Sequence, residues 1–414
     1  MVRIKAFKAI RPDEKFAKDV AALPYDVVKT EEAREIVKQN KYSFLKVDRA
    51  EVNFEKKISP YETVVYEKAR EVLNKMIEDK VLIEEDKPCL YVYEEKFKGL
   101  SQRGVVICAA VDDYIEGRIK KHEHTRAAKA RDRINHVDYC NANTGPIFLA
   151  YKQKKEITNK INKICDENKV IYEFTSDDSV SHKVWKIDND EIINFLVDKF
   201  KNIDSFYIAD GHHRANSAVE VSKLRRKENP NYTGEEEFNY FLAVAFPDNE
   251  LNIMDYNRVL KLEEDFNFSE FIDKVGENFD VKQVTEGGHF KPEKKHDFGM
   301  YYKGIWYRMT AREGSFDKDD EIESLDVSIL DKNILKAIIG IKDSRTDERI
   351  DFVGGIKGIK ELERRANTDM DMAFALYPIT MAEIMRVSDK NLVMPPKSTW
   401  FEPKLRSGLF IHKL

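Results

Sequence analysis

Phe206-Tyr207-Ile208-Ala209-Asp210-Gly211-His212-His213-Arg214 sets an apolar run against a glycine turn and then a helical pattern over residues 215–227. The spacing predicts a strand, a tight turn and a helix, an arrangement in which glycine lets backbone approach a ligand and the first helical N–H groups point outward. Arg214 adds a planar cation to the first turn. Asp210 changes the meaning of the site, because a carboxylate beside bound phosphate is repelled unless it holds a metal ion or takes a proton from an attacking hydroxyl. The junction therefore points to phosphoryl transfer, with Asp210 as base or metal ligand and Gly211, His212, His213 and Arg214 around phosphate. The competing reading is a common Asp-Gly turn in which Asp210 only caps the helix.

The chain has 414 residues, too many for one ordinary core, so at least two domains are expected. Composition shifts toward acidic helices after about residue 260, which predicts domains over 1–255 and 256–414. With 35% charged and 42% hydrophobic residues, the chain reads as a globular protein with a charged surface. A net charge of −5 argues against general binding to nucleic acid, so DNA is not an expected partner. Cys89, Cys108, Cys140 and Cys165 lack CxxC spacing and are expected as reduced thiols of a cytoplasmic protein; no apolar run is long enough for a membrane helix.

Strands are expected at 2–10, 43–47, 89–97, 103–114, 147–151 and 238–246, and helices at 31–39, 61–79 and 357–365. Lys121-His122-Glu123-His124-Thr125 follows the strand at 103–114. Glu123 is a candidate second carboxylate there, and His122, His124 and Thr125 are candidate phosphate contacts; an HxH metal pair is the alternative, with no third ligand at recognisable spacing. Lys129 and Arg133, four apart on an expected helix, would share a face suited to phosphate oxygens or to solvent. Tyr25 and Asp26 follow Pro24 on a restricted loop, and Lys397, Lys404 and Arg406 lie in a proline-bearing and aromatic segment expected to dock on the body or close over the site. These five are the candidate substrate contacts. Asp351-Phe352-Val353-Gly354-Gly355 forms a second strand–glycine–helix pattern, either an anion site or a packing device. Neither a Walker A pattern nor the eukaryotic-kinase motif set occurs.

Taken in order, LPYDV, KHEHT with the following DR and NANTGPIF segments, DGHHR, YNRV, DFVGG and MPPKSTWFEPKLRSGLF resemble a prokaryotic family catalogued as domain of unknown function 1015. The DGHHR region of that family is similar to free-serine kinases, which use ADP or ATP to make O-phospho-L-serine on a ParB/sulfiredoxin-like fold. The resemblance implies an α+β protein with such a mixed-sheet core and an additional α+β region. It further implies Gly211, His212, His213 and Arg214 on nucleotide phosphates, Asp210 catalytic or near Mg2+, and a small hydroxylated metabolite as acceptor. The alternatives are a ParB-like nucleotide-binding regulator without turnover, and a phosphatase or nuclease using the same cradle.

Overall fold

The computed structural model describes residues 1–414 except 124, 126, 286 and 287, with residues 127–129 described by backbone alone. The chain is α+β and divides into two compact units, Met1–Leu251 with Pro403–Leu414, and Asn252–Glu402. The division falls four residues before the expected boundary, and residues 403–414 belong to the first unit. Among the described residues no helix is long and apolar enough to cross a membrane, and all four cysteines are free.

The first unit is built on a nine-stranded mixed sheet. Its strands run in the order Ile119–Lys120, Phe206–Asp210, Ile147–Tyr151, Tyr240–Pro247, Leu100–Ala110, Leu90–Phe97, Ser181–Ile187 and Val170–Thr175, with Ile4–Lys5 beside Leu100–Ala110. Tyr240–Pro247 lies parallel to Ile147–Tyr151 and antiparallel to Leu100–Ala110. Every residue of Tyr240–Pro247 is buried, which explains its unbroken apolar sequence: neither face of a covered central strand meets water. Helices Lys155–Glu167 and Asp190–Lys201 contribute Ile157, Ile161, Ile164, Ile193, Leu196 and Phe200 to the large core. These residues recur at three- and four-residue spacing, as one helical face requires.

A second core gathers the helices Thr30–Gln39 and Thr63–Glu78 around Phe44, Leu45 and Val47. The strand expected at 43–47 is instead a short helix, Leu45–Asp48. A brief apolar run carries no period long enough to tell strand from helix, and here packing against Thr63–Glu78 decides it.

The second unit holds a six-stranded antiparallel sheet, in the order Phe279–Gln283, Ile305–Ala311, Asp297–Tyr302, Met372–Leu376, Tyr256–Leu260 and Ile350–Gly354. The Gly354-Gly355 turn in this unit is filled. A β-carbon at Gly354 would lie 2.6 Å from the Trp400 ring, and one at Gly355 would lie 2.6 Å from a carboxylate oxygen of Asp255. An acidic oxygen at that position opposes an anion, so these glycines are explained by packing, not by phosphate binding.

Candidate active site

Strand Phe206–Asp210 ends on Gly211, whose φ of +91° lies in the left-handed region that other residues rarely adopt. Helix His212–Glu228 begins immediately afterwards, three residues earlier than its sequence pattern suggests, and Gly211 has no side chain to cap it. Arg214 folds back over the turn. A β-carbon on Gly211 would stand 3.3 Å from Arg214 Nε, and Arg214 Nη1 donates to the Pro146 carbonyl at 2.5 Å. Gly145 makes room from the other side, since a β-carbon there would lie 3.4 Å from Arg214 Nη1 and 2.8 Å from Ser407 Oγ. Two glycines from distant segments thus admit one guanidinium beside a helix N-terminus.

Asp210 is ionised and held on both oxygens. Oδ1 accepts from the Gly211 N–H at 2.8 Å, and Oδ2 is 3.0 Å from Lys404 Nζ. Burial alone would raise this carboxyl, but Lys404, Arg214 and the Gly211 N–H together outweigh it and hold it well below the usual carboxylate range. The pair is partly open, with the Asp210 side chain 29% exposed and that of Lys404 11%.

His122 and His212 meet edge to face, their ring centres 4.6 Å apart. Burial pushes His122 down to about 4, against the opposing influence of Asp210 and a hydrogen bond with the Ile208 backbone. His212 is also driven well below its ordinary value, by burial first and then by His122. Both rings are therefore neutral at pH 7. His212 Nε2 is buried without a hydrogen-bond partner among the described residues, while Glu123 Oε2 approaches His212 Nδ1 at 3.7 Å. Glu123 thus reaches the DGHHR segment through His212.

Tyr25 and Arg133 connect this junction to a cleft. The Arg133 guanidinium lies 4.0 Å from the centre of the Tyr25 ring and is held by Asp132 at 2.8 Å. Its charge is therefore largely matched inside the protein, which argues against the open phosphate clamp expected from the sequence. Tyr25 is 8% exposed and its hydroxyl has no hydrogen-bond partner among the described residues; burial pushes its pKa upward. A cavity of about 20 Å³, room for a single water, touches Tyr25, Arg133, His136, Gly145 and Arg214. Beyond it opens a cleft of about 470 Å³ lined by Tyr25, Asp26, Thr30, Tyr66 and Arg133. That size suits a small-molecule ligand.

Other expected site residues fall elsewhere. Arg406 is buried, and its guanidinium is taken by Asp178, by Ser176 Oγ at 3.1 Å and by His182 at 3.4 Å, so it is a structural cation and not a substrate contact. Lys397 belongs to the second unit, where its ammonium lies 5.7 Å from the Tyr256 ring centre and its carbonyl accepts from Arg258 at 3.1 Å. Thr125 and His213 are partly exposed and Asp26 is exposed. His124 and the side chain of Lys129 lie outside the described residues.

Among the described residues, no group of three or more His, Cys, Asp or Glu is arranged to hold a metal ion. Asp210, the carboxylate expected to do so, is already engaged by Lys404 and Gly211. Its surroundings fit a cation-held carboxylate and do not fit a resident Mg2+ site.

The family described as protein of unknown function (DUF1015) matches residues 4–328. The chain belongs to that family. No curated protein matches this DUF1015 chain. Among solved structures it is similar to a free serine kinase in complex with AMP, at 14% identity and a TM-score of 0.33 over 74% of this chain and 92% of the other. A conserved hypothetical protein from Pyrococcus furiosus is similar at 14% identity and a TM-score of 0.34, covering 74% and 94% of the two chains. SbnI from Staphylococcus aureus, truncated at its C-terminus, gives 10% identity and a TM-score of 0.36 over 73% and 85%.

Sequence reasoning missed the charged floor of the cleft. Asp48 accepts from Thr144 Oγ1 at 2.8 Å and lies 4.0 Å from His136, while Arg49 pairs with Glu51 at 2.9 Å and donates to the Tyr25 carbonyl at 3.1 Å. One signal was available: Asp132 and His136 stand four apart on helix Ala127–Cys140, a spacing that puts both on one face.

Proposed function

We propose that this chain is a nucleotide-dependent phosphotransferase that phosphorylates the hydroxyl of a small metabolite, free L-serine or a related hydroxy compound, with ATP or ADP as donor. The observation that carries the reading is the left-handed Gly211 at the head of a long helix, bordered by Asp210 and crossed by Arg214, which shares a small cavity with the Tyr25 and Arg133 side chains that also line a metabolite-sized cleft. Helix-end N–H groups and Arg214 would stabilise charge on the transferring phosphoryl group. Asp210 would accept the hydroxyl proton as the new bond to phosphorus forms, and its ionised state at neutral pH makes it available for this. Glu123 would orient His212, whose buried Nε2 offers a further polar contact. Mg2+ is expected to arrive with the nucleotide as part of the substrate.

One observation favours a second reading, nucleotide binding for regulation without turnover: Lys404 covers the carboxylate that catalysis would need. Phosphorus NMR of the protein with ATP or ADP, Mg2+ and a panel of hydroxy amino acids separates the two. A phosphorylated product that disappears in Asp210→Asn while nucleotide binding persists supports catalysis. Tight nucleotide binding with no product from any acceptor favours regulation and removes the kinase reading.

A further inference from the structure

We propose that Lys404 is a ligand of the transferred phosphoryl group, which it reaches by leaving Asp210, so that nucleotide binding itself uncovers the base. This rests on the phosphotransferase reading and adds a gate to the same site.

Segment 403–414 ties together the loops that form the site. Ser407 and Ala22 exchange backbone hydrogen bonds at 2.8 and 3.1 Å, three residues before Tyr25, and the Gly408 N–H donates to the Thr144 carbonyl at 3.3 Å, next to Gly145. Arg406 is buried in its bonds to Asp178, Ser176 and His182, and Leu409, Phe410 and Ile411 are fully buried. The backbone around Lys404 is therefore fixed without help from the Lys404–Asp210 pair. The Lys404–Asp210 pair is mostly buried, so separating it is costly unless another anion takes the ammonium.

Local charge points the other way. Among the described residues around this junction, Lys404, Arg214 and Lys121 supply three positive charges against the two carboxylates of Asp210 and Glu123, while the imidazoles of His122 and His212 are neutral. The surplus suits an incoming anion. Arg214 is anchored on Pro146, whereas Lys404 carries a compact ammonium on a flexible four-carbon stem and can turn from one oxygen to another with its backbone unmoved. A terminal phosphoryl group, more highly charged than a carboxylate, competes for that ammonium. Once Lys404 turns, Asp210 Oδ2 is open. The acceptor hydroxyl oxygen then bonds to the terminal phosphorus, its proton passes to Asp210 Oδ2, and the bond from that phosphorus to the bridging oxygen breaks, the shortened nucleotide leaving with the electron pair. Asp210 returns the proton to solvent, and Lys404 closes on it again.

The test is calorimetric titration with Mg-ATP and Mg-ADP of the wild type, Lys404→Met, Asp210→Asn and the double variant, each with its melting temperature. Lys404→Met is expected to weaken binding by about tenfold, the loss of one charged contact. Asp210→Asn removes the competitor for the ammonium and is expected to tighten binding by about threefold or more, a gain that vanishes in the double variant. Lys404→Arg keeps the charge and is expected to restore affinity to within a few fold. If Asp210→Asn and Lys404→Met bind as the wild type does and only melt earlier, the pair is structural and the gate is overturned. Should Lys404→Met fail to fold, Asp210→Asn decides alone, since unchanged affinity there overturns the proposal. A wild type that binds neither nucleotide sinks the phosphotransferase reading itself, a result distinct from unchanged variants of a binding protein.

Discussion

Replacing Gly211 by alanine separates the turn's conformational demand from its functional one. At φ +91° an alanine costs about 1–2 kcal/mol, because its β-carbon crowds the following carbonyl. Gly117 provides the control, with φ +77° and nothing within 4 Å of a β-carbon placed there. Both substitutions should therefore lower the melting temperature by roughly 2–8 °C, at about 2–4 °C per kcal/mol for a unit of this size. Only at Gly211 does the new methyl meet Arg214, at 3.3 Å from Nε and 3.5 Å from Cζ, so the guanidinium must shift by a few tenths of an ångström and strain its bond to Pro146. Losing a charge-assisted contact of about 1.5–3 kcal/mol corresponds to roughly a ten- to hundredfold fall in affinity for Mg-ATP. Calorimetric titration beside thermal melting reads both effects. If Gly211→Ala and Gly117→Ala lose equal stability and both bind nucleotide as the wild type does, the turn is merely a turn and the cradle argument fails.

Arg133→Met should destabilise the first unit by about 3–5 kcal/mol, because it strips Asp132 of its buried partner and leaves it, among the described residues, the Tyr66 hydroxyl at 3.0 Å; a denaturant midpoint within 1 kcal/mol of wild type would contradict that account. In the second unit, burial pushes Asp326 up to about 7, although two bonds from the His296 N–H at 3.0 and 3.1 Å and the charge of Lys295 oppose the rise. The folded state then keeps a proton that the unfolded chain loses near pH 4. This group's contribution to stability falls as pH rises from about 4 to 7 and is level above that, by up to roughly 4 kcal/mol in all. Asp326→Asn should remove that slope, measured as the difference between the two proteins' denaturation curves at pH 5 and 8; identical slopes would show that Asp326 titrates normally.

The features legible in the sequence are those written into neighbouring residues. The junction at 206–214 announces itself because apolar strand, glycine and helix follow one another within a few positions, and the buried strand Tyr240–Pro247 is an uninterrupted apolar run for the same local reason. What escaped depends on partners far apart in the chain. Nothing near Lys404 signals that its ammonium meets Asp210, or that Arg406, two residues on, turns instead to Asp178. Both look like cations on a proline-bounded loop, and only the tertiary path tells which carboxylate each one meets. Arg133 misled in a related way: its spacing from Lys129 suggested a shared anionic ligand, while its adjacent residue, Asp132, already supplied the counter-charge.

The route of segment 403–414 also bears on biosynthesis. It completes the first unit yet is translated only after the whole of the second, so at about 5–20 residues per second the ribosome spends roughly 8–30 s on Asn252–Glu402 while the earlier unit waits with its loops untied. Until then Asp210 has no lysine over it, and Ala22 and Thr144 lack the backbone groups that later pair with them. A nascent chain can therefore build its sheet early, but this pocket is one of the last things it makes.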